Sequence, residues 1–265
     1  MIEVHSMKRL QEQAAKLNIK LSDKQIAQFQ TYYEMLVETN KVMNLTAITE
    51  LDEVITKHFV DSIALAAVYP EIGDEDNIIN VLDLGTGAGF PGLPLKIAFP
   101  HLKITLMDSL NKRVKFLQSV IDELELDKDV ISNKMDNLSS NQSITVGISA
   151  VHGRAEEAAR NVSYREQFDL CVSRAVANTA TLSEYCLPFI KVGGKFIPYK
   201  ASDIEEELNQ GKKAIQVLGG KLTEVKKLTL PDSDIERSFL FIDKVKNTPK
   251  TYPRKAGTAS KEPIH

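Results

Sequence analysis

The chain has 265 residues, of which 43% are apolar, 26% charged and 6% aromatic; this suits one or at most two domains with a sizeable core and excludes a disulfide-stapled miniprotein, a disordered chain and a collagen-like one. The longest purely apolar run, residues 63–68, is far short of the about 20 residues a spanning helix needs, and no apolar stretch follows His5, Lys8 and Arg9 to form a secretory leader, so a cytoplasmic protein is expected. The net charge of −3 is unpromising for a nucleic-acid binder, but residues 244–265 hold Lys244, Lys246, Lys250, Arg254, Lys255 and Lys261 against Glu262 alone, so a polyanion contact is sought in that tail.

Met7, Leu10, Ala14 and Leu17 recur at helical spacing, and Ser22 with Gln25 makes a capping box ahead of a helix carrying Ile26, Phe29, Tyr33, Leu36 and Val37. After a break at residues 40–47, Thr49 is expected to cap a third helix with Leu51, Ile55, Phe59, Ile63 and Ala66 on one face. His58 and Asp61 lie three apart on it. Two such residues without a third make no metal site, so they are read as a polar knot fastening the helices to a sheet, and no metal is expected.

From Ile78 the period changes. A strand over residues 78–82, a glycine-rich stretch and a helix to about Phe99 precede a second strand (102–107) and a helix lined by Val114, Leu117, Ile121 and Leu124. Consecutive strand–helix units imply a parallel sheet with right-handed crossovers. Residues 132–143, rich in Ser and Asn, are assigned to a surface insertion. Strands follow at 148–151, 168–173 and, after a Gly193-Gly194 turn, 195–199, with a helix at 181–190 between the last two. Ser202 is expected to cap a helix to Leu218, stopped by Gly219-Gly220. Strands 222–230 and 237–245, joined by a tight turn, should be antiparallel. Cys171 and Cys186 are too few for a disulfide framework and are read as buried small apolar residues. The whole reads as a helical cap (1–70), an α/β core (71–245) with a mostly parallel sheet and a terminal antiparallel hairpin, and a basic tail (246–265).

The most informative stretch is Asp83-Leu-Gly85-Thr-Gly87-Ala-Gly89-Phe90-Pro91-Gly92, at the carboxyl end of the first strand, where open α/β sheets bind ligands. Alternate glycines let the backbone approach a nucleotide-like ligand without Cβ clashes. Asp108 ends the second strand, 23 residues after Gly85, where a carboxylate can accept both ribose hydroxyls of an adenosine cofactor, or cap the next helix. A nicotinamide fingerprint has G-x-G-x-x-G with pyrophosphate on the helix N-terminus. Here the spacing is G-x-G-x-G, and Asp83 would repel a pyrophosphate but suit an ammonium group. S-adenosylmethionine has that group, so a methyltransferase is favoured over a nicotinamide-dependent oxidoreductase.

Several further motifs occur in order: Asn44-Leu-Thr-Ala-Ile, Lys57-His58-Phe-Val-Asp61-Ser62, Lys112-Arg113-Val-Lys-Phe-Leu117, Gly153-Arg-Ala-Glu156, Ser173-Arg174-Ala-Val and Tyr252-Pro-Arg-Lys255-Ala-Gly257. With the glycine loop they make the chain, from about residue 20 onward, resemble the bacterial 16S ribosomal RNA guanine-N7 methyltransferases, also called the glucose-inhibited division protein B family. The resemblance implies a Rossmann-like fold, S-adenosylmethionine as cofactor, and methylation of a guanine N7 in the decoding-region loop of small-subunit RNA, free or within the 30S particle. It makes Gly85, Gly87, Gly89 and Phe90 the methionine-side loop, next to the Asp83 read above as suiting the ammonium group, Asp108 the ribose partner, and Ala155 and Glu156 neighbours of the adenine, with Arg174 at the mouth of the site. Taken alone, Glu156 also fits a first-turn helix carboxylate and Arg174 a surface ion pair. The 132–143 region is longer than the family usually has.

Guanine N7 carries a lone pair and no proton, so its methylation needs no general base, in keeping with a sequence that offers no obvious one. The place of an exocyclic-amine motif reads Ser173-Arg174-Ala175-Val176, and neither cysteine has the setting of a C5-methylating nucleophile. Lys112 and Arg113 oppose the dipole of the helix they open, so they point either to function or to pairing with an acid such as Asp108. Arg113, Arg174, Lys200, Arg254 and Lys255 are expected to hold RNA, with a monomeric protein as the default. A non-catalytic ribosome-assembly factor that keeps the cofactor pocket is the remaining alternative.

Overall fold

Ser22 opens a helix as its spacing with Gln25 predicts: Ser22 Oγ accepts from Gln25 N (3.3 Å), and Gln25 Oε1 accepts from Ser22 N (2.8 Å). The computed structural model describes residues 5–127, 130–132, 143–145, 147–174 and 177–264. Helix α1 (His5–Lys16) buries Leu10 and Ala14, and α2 (Asp23–Met43) buries Phe29, Tyr32 and Leu36. Each such large apolar side chain contributes roughly 1.5–3 kcal/mol. The third expected helix is broken into α3 (Leu51–Val54), a π-helical turn (Ile55–Val60), α4 (Asp61–Ile63) and α5 (Leu65–Val68). Its face is as read, with Ile55, Phe59 and Ile63 fully buried. Thr49 does not cap it. Glu50 holds the N-cap position without a side-chain bond, while the Thr49 carbonyl accepts from the Tyr33 hydroxyl (3.0 Å).

The strands are β1 (Asn80–Leu84), β2 (Lys103–Asp108), β3 (Val130–Ser132), β4 (Ser143–Thr145), β5 (Ile148–His152), β6 (Phe168–Arg174), β7 (Ile190–Lys200), β8 (Gly220–Thr229) and β9 (Glu236–Lys244). Seven form one sheet in the order β5-β2-β1-β6-β7-β9-β8, parallel except for β9, which runs antiparallel to both β7 and β8. Helices α6 (Gly92–Ala98), α7 (Asn111–Glu123), α8 (Ala155–Ala158), α9 (Thr179–Cys186) and α10 (Glu205–Val217) make the connections, and α11 (Thr258–Lys261) lies in the tail. Strand alternation divides the core. Val81, Leu106, Val172 and Ile197 pack with α1–α7 on one face; Leu82, Leu84, Cys171 and Phe196 pack with α9 and α10 on the other. Both cysteines are buried. The strand order reverses between β1 and β6, which opens a crevice at their carboxyl ends.

Two further expectations need correction. Gly193-Gly194 is no turn: both glycines lie inside β7, where a Cβ on Gly194 would stand 2.5 Å from the Asp169 carbonyl and the β6–β7 register shifts. Ser202 does not cap α10, whose N-cap is Ile204 without a side-chain bond; Glu205, Glu206 and Glu207 in the first turn complement the dipole instead. The ends of the 132–143 stretch belong to a separate antiparallel ladder, β3 with β4, and its interior lies outside the described residues. The tail folds back onto the core. Arg165 donates to the Thr248 and Tyr252 carbonyls (2.8 and 3.0 Å), and Thr181 Oγ1 donates to the Ala259 carbonyl (3.0 Å).

Candidate active site

The loop after β1 turns on three residues with positive φ: Gly85 (72°), Gly87 (62°) and Gly89 (109°). Tyr32 of α2 donates to the Ala88 carbonyl (2.6 Å), so the helical cap fixes the loop from below. A Cβ on Gly92 would lie 2.2 Å from Leu106 Cδ2 and 2.8 Å from Asp83 Oδ2, so packing requires glycine there, whereas a Cβ on Gly87 would meet nothing within 4 Å. Asp83 is fully buried beneath this loop. Its Oδ2 accepts from Thr86 Oγ1 (2.6 Å) and Gly92 N (2.8 Å), and its Oδ1 has no hydrogen-bond partner. Burial pushes the carboxyl up to about 7.

Asp108, at the end of the neighbouring strand, accepts from Gly87 N on Oδ2 (3.0 Å) and from Leu110 N on Oδ1 (2.9 Å). Arg113 Nη1 also donates to Oδ2 (3.4 Å), so of the two lone pairs on each oxygen the one left free is on Oδ1. Two cavities meet at Gly85, Asp108 and Ser109. The rear one, about 280 Å³, is lined by Met107, Ala155, Glu156 and Tyr185, with Glu156 Oε1 accepting from Gly257 N of the tail (2.9 Å). The front one, about 440 Å³, is lined by Leu45, Thr46, His58, Gly87, Phe90 and Arg174. A larger cavity of about 740 Å³, bounded by Ile19, Gln25, Ala67, Ile97 and Pro100, lies at the amino ends of the strands, away from Asp83 and Asp108.

Arg174 stands in the front wall. Its guanidinium donates to Asp61 Oδ2 (2.8 Å) and to the Lys57 carbonyl (3.0 Å), and Cζ lies 5.1 Å from the Phe90 ring centre. Asp61, almost wholly buried, also accepts from Arg237 Nε of β9 (2.8 Å). The polar knot read from His58 and Asp61 therefore exists and ties the cap to both β6 and β9. His58 stacks on Phe90, with ring centres 4.5 Å apart. Burial and the Arg174 charge lower its pKa to about 4, so the ring is neutral at pH 7.

A sequence model described as "rRNA small subunit methyltransferase G" matches residues 25–147 and 140–237. The chain belongs to that family. Proteins named ribosomal RNA small subunit methyltransferase G from Lachnoclostridium phytofermentans and Alkaliphilus metalliredigens are 51% and 48% identical to it, over 94% and 96% of this chain and 93% and 97% of theirs. Among solved structures, a mutant of MtNAS superposes with a TM-score of 0.50 at 11% identity, over 82% of this chain and 74% of that one, which bears on the fold alone. Membership in a methyltransferase family sets aside the nicotinamide-dependent alternative.

Gly85, Gly87, Phe90, Asp108, Ala155, Glu156 and Arg174 line the two joined cavities, whereas Gly89 lies in the loop and Asp83 is buried beneath it, and neither of these two lines them. The cations expected to hold RNA are not gathered in the same way. Arg113 lines the front cavity, half-buried, with Nη1 3.4 Å from Asp108 Oδ2. Lys200 is turned inward, donating to the Ala177 carbonyl (2.7 Å) and Glu207 (2.6 Å). Arg254 is clamped on buried Glu184 by its backbone N (2.8 Å), Nε (3.0 Å) and Nη2 (2.6 Å). Lys244 is buried against the Leu187 and Ile190 carbonyls. Lys246, Lys250, Lys255 and Lys261 are exposed. Thr46, Tyr185 and Arg154 line the cleft without having been singled out; Thr46 and Arg154 stood inside quoted motifs, while Tyr185 carried no signal. Among the described residues, no three His, Cys, Asp or Glu side chains are grouped to hold a metal ion, and no helix is long and apolar enough to cross a membrane.

Proposed function

We propose that this chain transfers the methyl group of S-adenosylmethionine to N7 of a guanine in the decoding-region loop of 16S ribosomal RNA, in the cytoplasm, with the RNA or the 30S subunit as partner. The observation that carries this reading is the pair of carboxylates at the ends of adjacent strands: Asp83, with a buried oxygen lacking a donor, and Asp108, at the join of two cavities. These residues fit the cofactor. Asp83 would face its ammonium group, with Gly85, Gly87 and Gly89 allowing close approach, Asp108 would accept the ribose hydroxyls, and Ala155 and Glu156 would flank the adenine. Bound there, S-adenosylmethionine supplies an electrophilic methyl group.

The chain's own part is positioning. The attacking nitrogen has a free lone pair, so no side chain has to remove a proton. The cleft agrees with this, since His58 is neutral and both its nitrogens lie within reach of protein partners. Holding two reactants in line in a preorganised site supplies several kcal/mol without acid–base chemistry. Transfer of labelled methyl to 30S subunits lacking the modification tests the reading. Incorporation by the wild type, lost in Asp108→Ala, is expected; cofactor binding without incorporation into the subunits would overturn it in favour of a non-catalytic assembly role.

A further inference from the structure

Both nitrogens of the His58 ring are engaged in the ring plane. Nε2 lies 2.9 Å from Thr46 Oγ1, while Nδ1 lies 3.0 Å from the Lys57 carbonyl and 3.2 Å from Arg174 Nη2. A proton on Nδ1 goes to the carbonyl and leaves Nε2 to accept from the hydroxyl; a proton on Nε2 goes to the hydroxyl and leaves Nδ1 to accept from the guanidinium. Either tautomer is satisfied by the protein. Phe90 covers one face at 4.5 Å with the rings 25° from parallel, yet the ring is only half-buried and lines the front cavity. What remains for the cavity is the second face, an aromatic surface with no hydrogen-bonding atom left to offer.

We propose that this free face of His58 is the platform on which the target guanine stacks while its N7 is presented to the methyl donor. The proposal rests on the function proposed above. A purine needs an aromatic partner of this kind once it leaves its own stack. Neutrality matters as well. On gaining the methyl group the base takes on the positive charge that the sulfonium loses, and a neutral π face attracts a cation where an imidazolium would repel it. Burial and Arg174 keep the ring uncharged down to a pH of about 4. A purely structural knot would require the nitrogens of His58 and the face that Phe90 covers, and make no use of the second face.

That difference gives the test. His58→Gln keeps hydrogen-bonding groups and loses the aromatic face; His58→Phe and His58→Tyr keep a ring and lose the nitrogens. With the full chain and 30S subunits lacking the modification, His58→Gln should lose roughly 5- to 150-fold in kcat/KM, the range of base–aromatic stacking. At least one ring variant should retain clearly more, and S-adenosylhomocysteine should bind all three within about twofold of the wild type. His58→Gln matching or exceeding both ring variants overturns the proposal, as does loss of cofactor binding in both ring variants with His58→Gln intact. If the wild type places no methyl on a guanine N7, the underlying function fails and the platform falls with it.

Discussion

Asp83 is where one residue's environment decides most about the site. An aspartate in the unfolded chain titrates near 3.8, whereas burial raises Asp83 to about 7. Between those values the folded state binds the proton more tightly than the unfolded one, so this group lowers stability as pH rises from about 4 to 7, by an amount on the order of a few kcal/mol, and adds no further pH dependence above. Melting curves of the ligand-free protein should therefore fall more steeply between pH 5 and 7 in the wild type than in Asp83→Asn; parallel curves would contradict this. An ammonium beside Oδ1 favours the carboxylate, so S-adenosylhomocysteine affinity should strengthen through pH 7 in the wild type and stay flat in the variant. The glycines separate in the same way. Gly92→Ala drives a Cβ into Leu106 and Asp83 and should destabilise the fold by several kcal/mol, whereas Gly87→Ala meets open space and costs only about 1–2 kcal/mol of backbone strain while blocking a ligand. Calorimetry should show a nearly intact Gly87→Ala that binds cofactor at least about tenfold more weakly. Asp83 and the glycine spacing were legible because they sit beside one another in the chain. The inward turn of Lys200 and Arg254 was not, because their carboxylate partners are brought up by separate helices, and Glu184 lies 70 residues from Arg254.

At the scale of elements, periodicity located the strands of the main sheet because apolar alternation is what the buried faces require, although β7 begins at Ile190 and not at Lys195. The misread caps, Thr49 and Ser202, show the limit: a residue fit to cap is overruled when the chain around it is held elsewhere, as Thr49 is through its carbonyl and Tyr33. The tail is the largest revision. Its positive charge suggested a polyanion contact, but Arg165, Glu166, Glu184 and Glu156 anchor it along its length. Glu184→Ala leaves the Arg254 guanidinium without its buried partner and should release this segment. Limited proteolysis with trypsin should then cut after Arg254 or Lys255 at least several-fold faster than in the wild type, and unchanged cleavage would mean the other anchors suffice.

Across the whole molecule, the cap, sheet and tail converge on one crevice. Tyr32 holds the glycine loop from the cap, Asp61 bridges the cap to Arg174 and Arg237 of the sheet, and Gly257 of the tail meets Glu156 at the rear cavity. This arrangement suits a reaction that asks for alignment and no proton transfer, and it places the neutral His58 ring at the front of the cleft. Such a cleft is matched to its reaction only if the acceptor atom carries a free lone pair. To identify that atom, 30S subunits lacking the modification are reacted with S-adenosylmethionine, and the modified nucleotide is mapped by borohydride reduction and aniline cleavage, which detects N7-methylguanine. Cleavage at a single guanine in the decoding-region loop is expected. Methyl label on an exocyclic amine, a pyrimidine carbon or any other atom would refute the proposed reaction.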